Sequence, residues 1–261
     1  MKNNQINIIV PTNYSEMSEK QIRYVAALKM HGMVERDIWI RSFIKFAGIK
    51  PIIGYGDKYL FAKKGFKGLF TWHMEEMNYF VNKMKWITRD YKGIRPPKIS
   101  KLQACDELMC DTRFIQYIDA ENHYQAFIFT QDANELLFLA ATLYQSGATY
   151  SKSNIKKVAQ KLKRRKTEQF IALFWMLGIK QEFAKKWPYL FPASSQQEDE
   201  DNEFDAVVPD MERIIRNQLR MLTKGDVTKE TQVLGTLTHS ALDELNQQCF
   251  EYEKLKSQEN Q

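Results

Sequence analysis

The chain has 261 residues, 44% of them hydrophobic and 27% charged, with a formal net charge of +6. That is enough apolar material for one large core or two modest ones, and too little charge for a disordered chain. No apolar run approaches the roughly 18 residues of a membrane span, and three cysteines cannot staple a chain of this length. Collagen, a disulfide-built secreted scaffold and an integral membrane protein are excluded. The N-terminus also lacks the apolar core of a secretory signal, so the expected setting is the reducing cytoplasm.

The first element expected is a short strand over Gln5–Val10, rich in β-branched residues and ended by Pro11. Ser18 then caps a helix. Gln21 sits three residues on as its capping-box partner, and Met17 and Ile22 form a hydrophobic staple. Ile22, Val25, Ala26 and Met30 trace its apolar face, and Gly32 stops it. A second helix is expected from Glu35 to Ala47, with Trp39, Phe43 and Phe46 on one side. Residues 51–70 are punctuated by Gly54, Gly56, Gly65 and Gly68 and read as one or two β-hairpins. Trp72–Trp86 has helical periodicity through Met77, Phe80, Val81 and Met84, and Pro96-Pro97 marks a break.

Residues 102–129 are compatible with helix or strand. Asp132 caps the next helix, with Glu135 three residues on as its capping-box partner and an end near Gly147. A basic helix begins near Ser153. Another carries Phe170, Leu173, Phe174, Leu177 and Ala184, and Pro188 and Pro192 close the main domain. From Ala193 to Pro209 the chain is acidic, with six carboxylates between Glu198 and Asp205, and reads as a solvated flexible linker. Beyond it, Met211–Leu222 and Thr238–Lys256 read as a separate helical hairpin. The expectation is a mainly α protein with a minor β component: a multi-helical main domain over 1–192, an acidic linker over 193–209 and a C-terminal helical hairpin over 210–261.

Chemistry is scarce. The histidines His31, His73, His123 and His239 lack a second ligand at metal spacing. Cys105 and Cys110 are about 140° apart on a helix and do not converge on one metal. Gly54-Tyr55-Gly56 lacks the rest of a dinucleotide fingerprint, Gly65 and Gly68 build no Walker loop, and there is no serine elbow. The most enzyme-like stretch is Asp119-Ala120-Glu121-Asn122-His123. In an extended chain Asp119, Glu121 and His123 share a face that suits acid/base or metal chemistry. The preferred reading is a polar turn between two buried aromatic segments.

Two surfaces stand out. Lys156, Lys157, Lys161, Lys163, Arg164, Arg165 and Lys166 form a basic run. It reads either as a nucleic-acid footprint or as a solvated helix face, and the solvated face is preferred because no aromatics interleave. Leu242, Leu245, Cys249 and Tyr252 recur at steps of three and four and form an apolar seam. That seam either folds back on the chain's own helices or binds a partner.

The segments at 11–28 (PTNYSEMSEKQIRYVAAL), 121–144 and 172–192 together resemble those of a family of phage and prophage proteins of Bacteroidetes-type genomes. PTNYSEMSEKQIRYVAAL (11–28) is similar to the family's opening, and ENHYQAFIFTQDANELLFLAATLY (121–144) to its central segment. ALFWMLGIKQEFAKKWPYLFP (172–192) is similar to its aromatic helix, and LTKGDVTKETQVL with HSALDELNQQCFEYEKL to its C-terminal hairpin. The chain departs from the pattern at His123, Ala126 and Phe174. The resemblance covers most of the chain, and its motifs are structural. It implies a non-enzymatic protein without cofactor or metal that assists virion tail assembly in the cytoplasm of a bacterial host, chaperone-like, by protein–protein binding. The expected partners are phage tail or other virion proteins, or a second copy of the chain, with no membrane. The alternatives are a minor connector or ring subunit of the virion, and a nucleic-acid-binding accessory protein using the 156–166 run.

Overall fold

A computed structural model describes residues 6, 8–66, 68–192 and 211–259. It is mainly α-helical with one three-stranded sheet, as the composition and periodicity imply. The chain divides into two compact units, 1–95 and 96–261. The division falls at Arg95/Pro96, where the proline pair breaks the chain; the acidic stretch over 193–209 lies outside the described residues.

In the first unit, helices α1 (Glu19–Met30) and α2 (Glu35–Ala47) pack together. The Ser18–Gln21 capping box forms as expected. His31 to Val34 connect the two helices, with Gly32 at φ +67°, a conformation that glycine adopts without the Cβ penalty. Strands β1 (Ile49–Tyr55), β2 (Lys58–Lys63) and β3 (Leu69–His73) follow as an antiparallel sheet in sequence order. Gly56 and Asp57 turn the first hairpin, and β1 carries a bulge between Pro51 and Ile53. Helices α3 (Met74–Asn82) and α4 (Trp86–Arg89) complete the unit.

The described part of the expected strand over Gln5–Val10 is not a strand. Gln5 and Asn7 lie outside the described residues, while Ile6 and Ile8 to Val10 pair with no neighbour. β-branched side chains favour a strand only where a ladder takes their backbone groups. The expected helix over Trp72–Trp86 is also shorter. Trp72 belongs to β3, opposite Tyr59, and packs among Phe43, Phe61, Phe70 and Phe80. That aromatic cluster joins the sheet to α2 and outweighs the local helical period. Tyr14 closes the other end of this core, where its hydroxyl donates to Ile87 O at 2.7 Å.

The second unit is built on α5 (Phe114–Thr130), so the ambiguous middle segment is a helix from Phe114 onward and irregular before it. It packs on α6 (Ala133–Leu143), and α6 packs on α7 (Lys152–Leu162) and α8 (Lys166–Lys186). Three C-terminal helices, α9 (Met211–Thr223), α10 (Glu230–Leu234) and α11 (Thr238–Glu259), all contact α5. The segment expected as a separate hairpin is thus part of this unit. Main-chain bonds stitch it in: Phe114 N donates to Thr236 O at 2.8 Å, and Thr238 N to Thr112 O at 2.9 Å. No helix among the described residues is long and apolar enough to cross a membrane.

Candidate functional site

The Asp119–His123 stretch is neither extended nor a turn. It lies in the middle of α5. Helical geometry places Asp119 and His123 on one side and turns Glu121 about 160° away. Each side chain is committed to a different element. Asp119 accepts a hydrogen bond from the Tyr150 hydroxyl and pairs with Lys152 Nζ at 3.2 Å, at the start of α7. Glu121 pairs with Lys180 of α8 and accepts from Gln125 at 2.6 Å. His123 Nδ1 lies 2.7 Å from Glu135 Oε2 of α6.

These contacts change the helix signals nearby. Asp132 caps α6 by accepting from Asn134 N at 2.8 Å. Glu135 does not close the expected capping box, because its carboxylate is drawn to His123. Lys180 also lies 5.0 Å from the centre of the Tyr124 ring. Burial, and then Glu121, push the Tyr124 hydroxyl up to about 12. Burial and the bond to Asp119 raise Tyr150 further. The three polar groups act as struts from α5 to its neighbours, not as a common acid/base centre.

A second meeting of reactive types joins distant segments. Cys110 Sγ lies 3.7 Å from His239 Nε2, at the start of α11. The same Nε2 is 2.8 Å from Leu108 O, while Nδ1 is 3.0 Å from Lys186 Nζ. Since a carbonyl only accepts and an ammonium only donates, Nε2 carries the hydrogen and Nδ1 is the acceptor. His239 therefore presents no lone pair to the thiol. Burial and the Asp106 carboxylate raise the Cys110 pKa, the reverse of an activated nucleophile. Phe183 and Trp187 hold the imidazole edge-on, at 5.5 and 5.1 Å between ring centres. Among the described residues no group of three or more His, Cys, Asp or Glu is placed to hold a metal ion.

The seam expected at the C-terminus divides in two. Leu242 and Leu245 are fully buried within the chain's own fold and present no surface to a partner. Trp187 Nε1 donates to Asp243 Oδ1 at 2.6 Å, and the N–H groups of Tyr189 and Leu190 donate to Asn246 Oδ1 at 3.0 and 3.2 Å. Phe250 still packs on Tyr189, with 4.8 Å between ring centres, but the stripe itself becomes exposed from there on. Cys249 is half-buried, Tyr252 is 68% exposed and Leu255 61%. The apolar stripe thus runs past its own domain into solvent.

The basic run is split by the turn between α7 and α8. Lys161, Lys163, Arg164, Arg165 and Lys166 are all exposed. Arg165 pairs with Glu168 at 3.6 Å. Ile155, Val158, Ala159 and Leu162 form the buried face of α7, so the lysines occupy its solvated face.

Nothing local in the sequence marks Tyr150, Lys152 and Lys180 as partners of the α5 carboxylates, or His239 as the neighbour of Cys110. The contacts span 31 to 129 residues. Comparison with known proteins finds no family model, no curated sequence and no solved structure that matches this chain.

Proposed function

We propose that the chain is a non-enzymatic bacteriophage or prophage protein that assists virion assembly, of the tail in particular, through protein–protein binding. The sequence resemblance supplies the phage context. The observation that carries the binding role is the stripe on α11, which leaves the domain core after Leu245 and continues through Cys249, Tyr252 and Leu255 at helical spacing. An exposed amphipathic helix end of this kind is suited to an apolar groove on a partner. The commitment of Asp119, Glu121 and His123 to structural contacts supports a non-enzymatic reading.

The test is a pull-down of tagged protein from cells carrying its neighbouring genes, with mass spectrometry of the eluate and of purified particles. Wild-type protein is expected to recover a tail tube or tape-measure protein and to be absent from particles. The variant Tyr252→Ser/Leu255→Ser is expected to lose that partner while melting normally, since exposed substitutions shift stability by about 0.5 kcal/mol or less. Retention of the partner by the variant overturns the assignment of the surface. Presence of the chain in particles replaces the assembly role with that of a structural subunit.

A further inference from the structure

We propose that the exposed face carrying Arg41, Lys45 and Lys64 in the first compact unit binds the phosphate backbone of duplex DNA. This surface is distinct from the 156–166 run and from the end of α11.

The net charge of +6 conceals an uneven division. Residues 1–95 contain 17 lysines and arginines against 8 aspartates and glutamates, a formal +9. Residues 96–261 contain 21 against 24, a formal −3. The excess positive charge of the chain thus resides in the first unit, and a field of that sign attracts polyanions.

Within this unit the cations converge. Arg41, Lys45 and Lys64 line a cavity of about 630 Å³ between α1, α2 and the start of the sheet. All three side chains are exposed, and Asp37 on the same rim forms no ion pair with them. Lys45 Nζ stands 5.7 Å from the centre of the Tyr24 ring, a contact that orients the ammonium without neutralising it. Arg41 and Lys45 are one helical turn apart, roughly 6 Å along the axis, so they reach a phosphate strand at two successive points.

The supporting elements fit a duplex. Two helices joined by a four-residue connection that contains Gly32 share the connection length of a helix-turn-helix, whose second helix faces the nucleic acid. Here the second helix, α2, carries Arg41 and Lys45. The β1–β2 hairpin follows it at once, with Lys50 and Lys58 exposed and Tyr55 87% exposed beside the turn. Asp57 at that turn is tied to His73 Nδ1 at 3.0 Å, which braces the hairpin against β3. In register, Lys50 and Lys58 stand at opposite ends of this hairpin, so exposed cations extend beyond a single spot, as a phosphate backbone requires.

Fluorescence anisotropy of the full chain with a short labelled duplex of random sequence, across a salt series, tests the proposal. The comparison variant is Arg41→Gln/Lys45→Gln/Lys64→Gln, which removes charge and keeps most of each side-chain stem. Wild-type protein is expected to bind with an affinity that falls steeply with salt. The triple variant is expected to melt as wild type, to bind at least about tenfold more weakly at low salt, and to lose about 3 from the log–log salt slope. Neutralising Lys163, Arg164, Arg165 and Lys166 together is expected to weaken binding far less than the triple variant, because the proposed site is built by the first unit's cations alone. No duplex binding at low salt, or binding that survives the triple variant, overturns the proposal. So does polyglutamate competing as well as unlabelled duplex at equal charge, which identifies an acidic protein as the partner. Binding to anionic vesicles without binding to duplex overturns it in favour of a lipid surface.

Discussion

Thr112 and Thr238 are 126 residues apart in the chain, and their hydroxyls share a buried hydrogen bond of 2.7 Å. Each threonine sits where a helix is about to begin: Thr112 leads into α5 and Thr238 opens α11. The two flanking main-chain bonds make this junction a short antiparallel bridge, which closes with Arg113 opposite Leu237. The C-terminal helices are thereby fastened to the lead-in of the central helix.

Removal of residues 236–261 is therefore expected to abolish the cooperative thermal unfolding of the second unit, followed by circular dichroism. It strips the partners of Phe114 N and Thr112 O and uncovers the surface that Leu242 and Leu245 bury. Thr238→Val is the milder variant. It leaves the Thr112 hydroxyl without one partner in a buried site, at an expected cost of about 1–3 kcal/mol in denaturant titration. If the truncated chain melts like the full one, the junction is not part of the folded core.

Gly147 admits no side chain. A Cβ there would lie 1.7 Å from Asp111 O, and Gly147 N donates to Asp111 Oδ2 at 3.2 Å. Two backbones meet without room for a methyl group. Gly147→Ala is expected to cost about 3 kcal/mol or more, because the obstruction is main chain and not a movable side-chain end. Equilibrium denaturation of the purified variant checks this.

The Glu121–Lys180 pair is mostly removed from water, with the glutamate side chain 11% exposed and the lysine 31%. Lys180→Met is expected to destabilise by about 2–3 kcal/mol, since it leaves a buried carboxylate without its counter-charge. The double variant Glu121→Gln/Lys180→Met is expected to be less destabilised than the sum of the two singles. A double-mutant cycle in urea reads the difference. Additive effects would show that the pair is not coupled.

Alkaline pH is expected to unfold the protein through its tyrosines. Burial raises Tyr14 and Tyr117, Tyr124 is pushed up to about 12, and burial with the bond to Asp119 raises Tyr150. A folded pKa above the unfolded value means that the folded chain holds more protons above about pH 10, so stability falls as pH rises from there. These four phenols are expected to ionise together with loss of helix, followed by ultraviolet absorbance and circular dichroism. Ionisation that precedes unfolding would contradict their burial.

Lys29 gives the opposite slope in a lower window. Burial lowers its pKa to about 8, so the unfolded chain binds more protons between about pH 8 and 10.5 and stability rises with pH across that interval. Lys29→Met is expected to flatten this rise, measured as melting temperature against pH.

Much of the helical content is legible without the fold. Ser18 with Gln21, the apolar faces of α1 and α2, and the face of α7 each lie within a few residues of the chain, the range over which a helix forms its bonds. Trp72 depends on contacts beyond that range. Its helical spacing to Phe80 is real, but its position in the sheet depends on Tyr59 and Phe61, which local spacing does not report. The candidate sites fared similarly. Asp119, Glu121 and His123 are visible as an unusual trio, while their partners come from three other helices. The seam from Leu242 to Tyr252 is visible as a stripe, while the point at which it leaves the core depends on Trp187, Tyr189 and Asn246.

By itself the sequence determined the capping box of Ser18 and Gln21 and the apolar faces of α1 and α2, because capping and amphipathic period act over one to two turns. It also held the charge division at Arg95/Pro96, although the boundary that gives the division meaning is a property of the fold. Tertiary structure decided which polar groups became struts, where the sheet displaced a helix, and which half of the C-terminal seam stayed in solvent. Those outcomes rest on contacts between residues tens to more than a hundred positions apart, and such contacts leave no periodic mark on the chain that makes them.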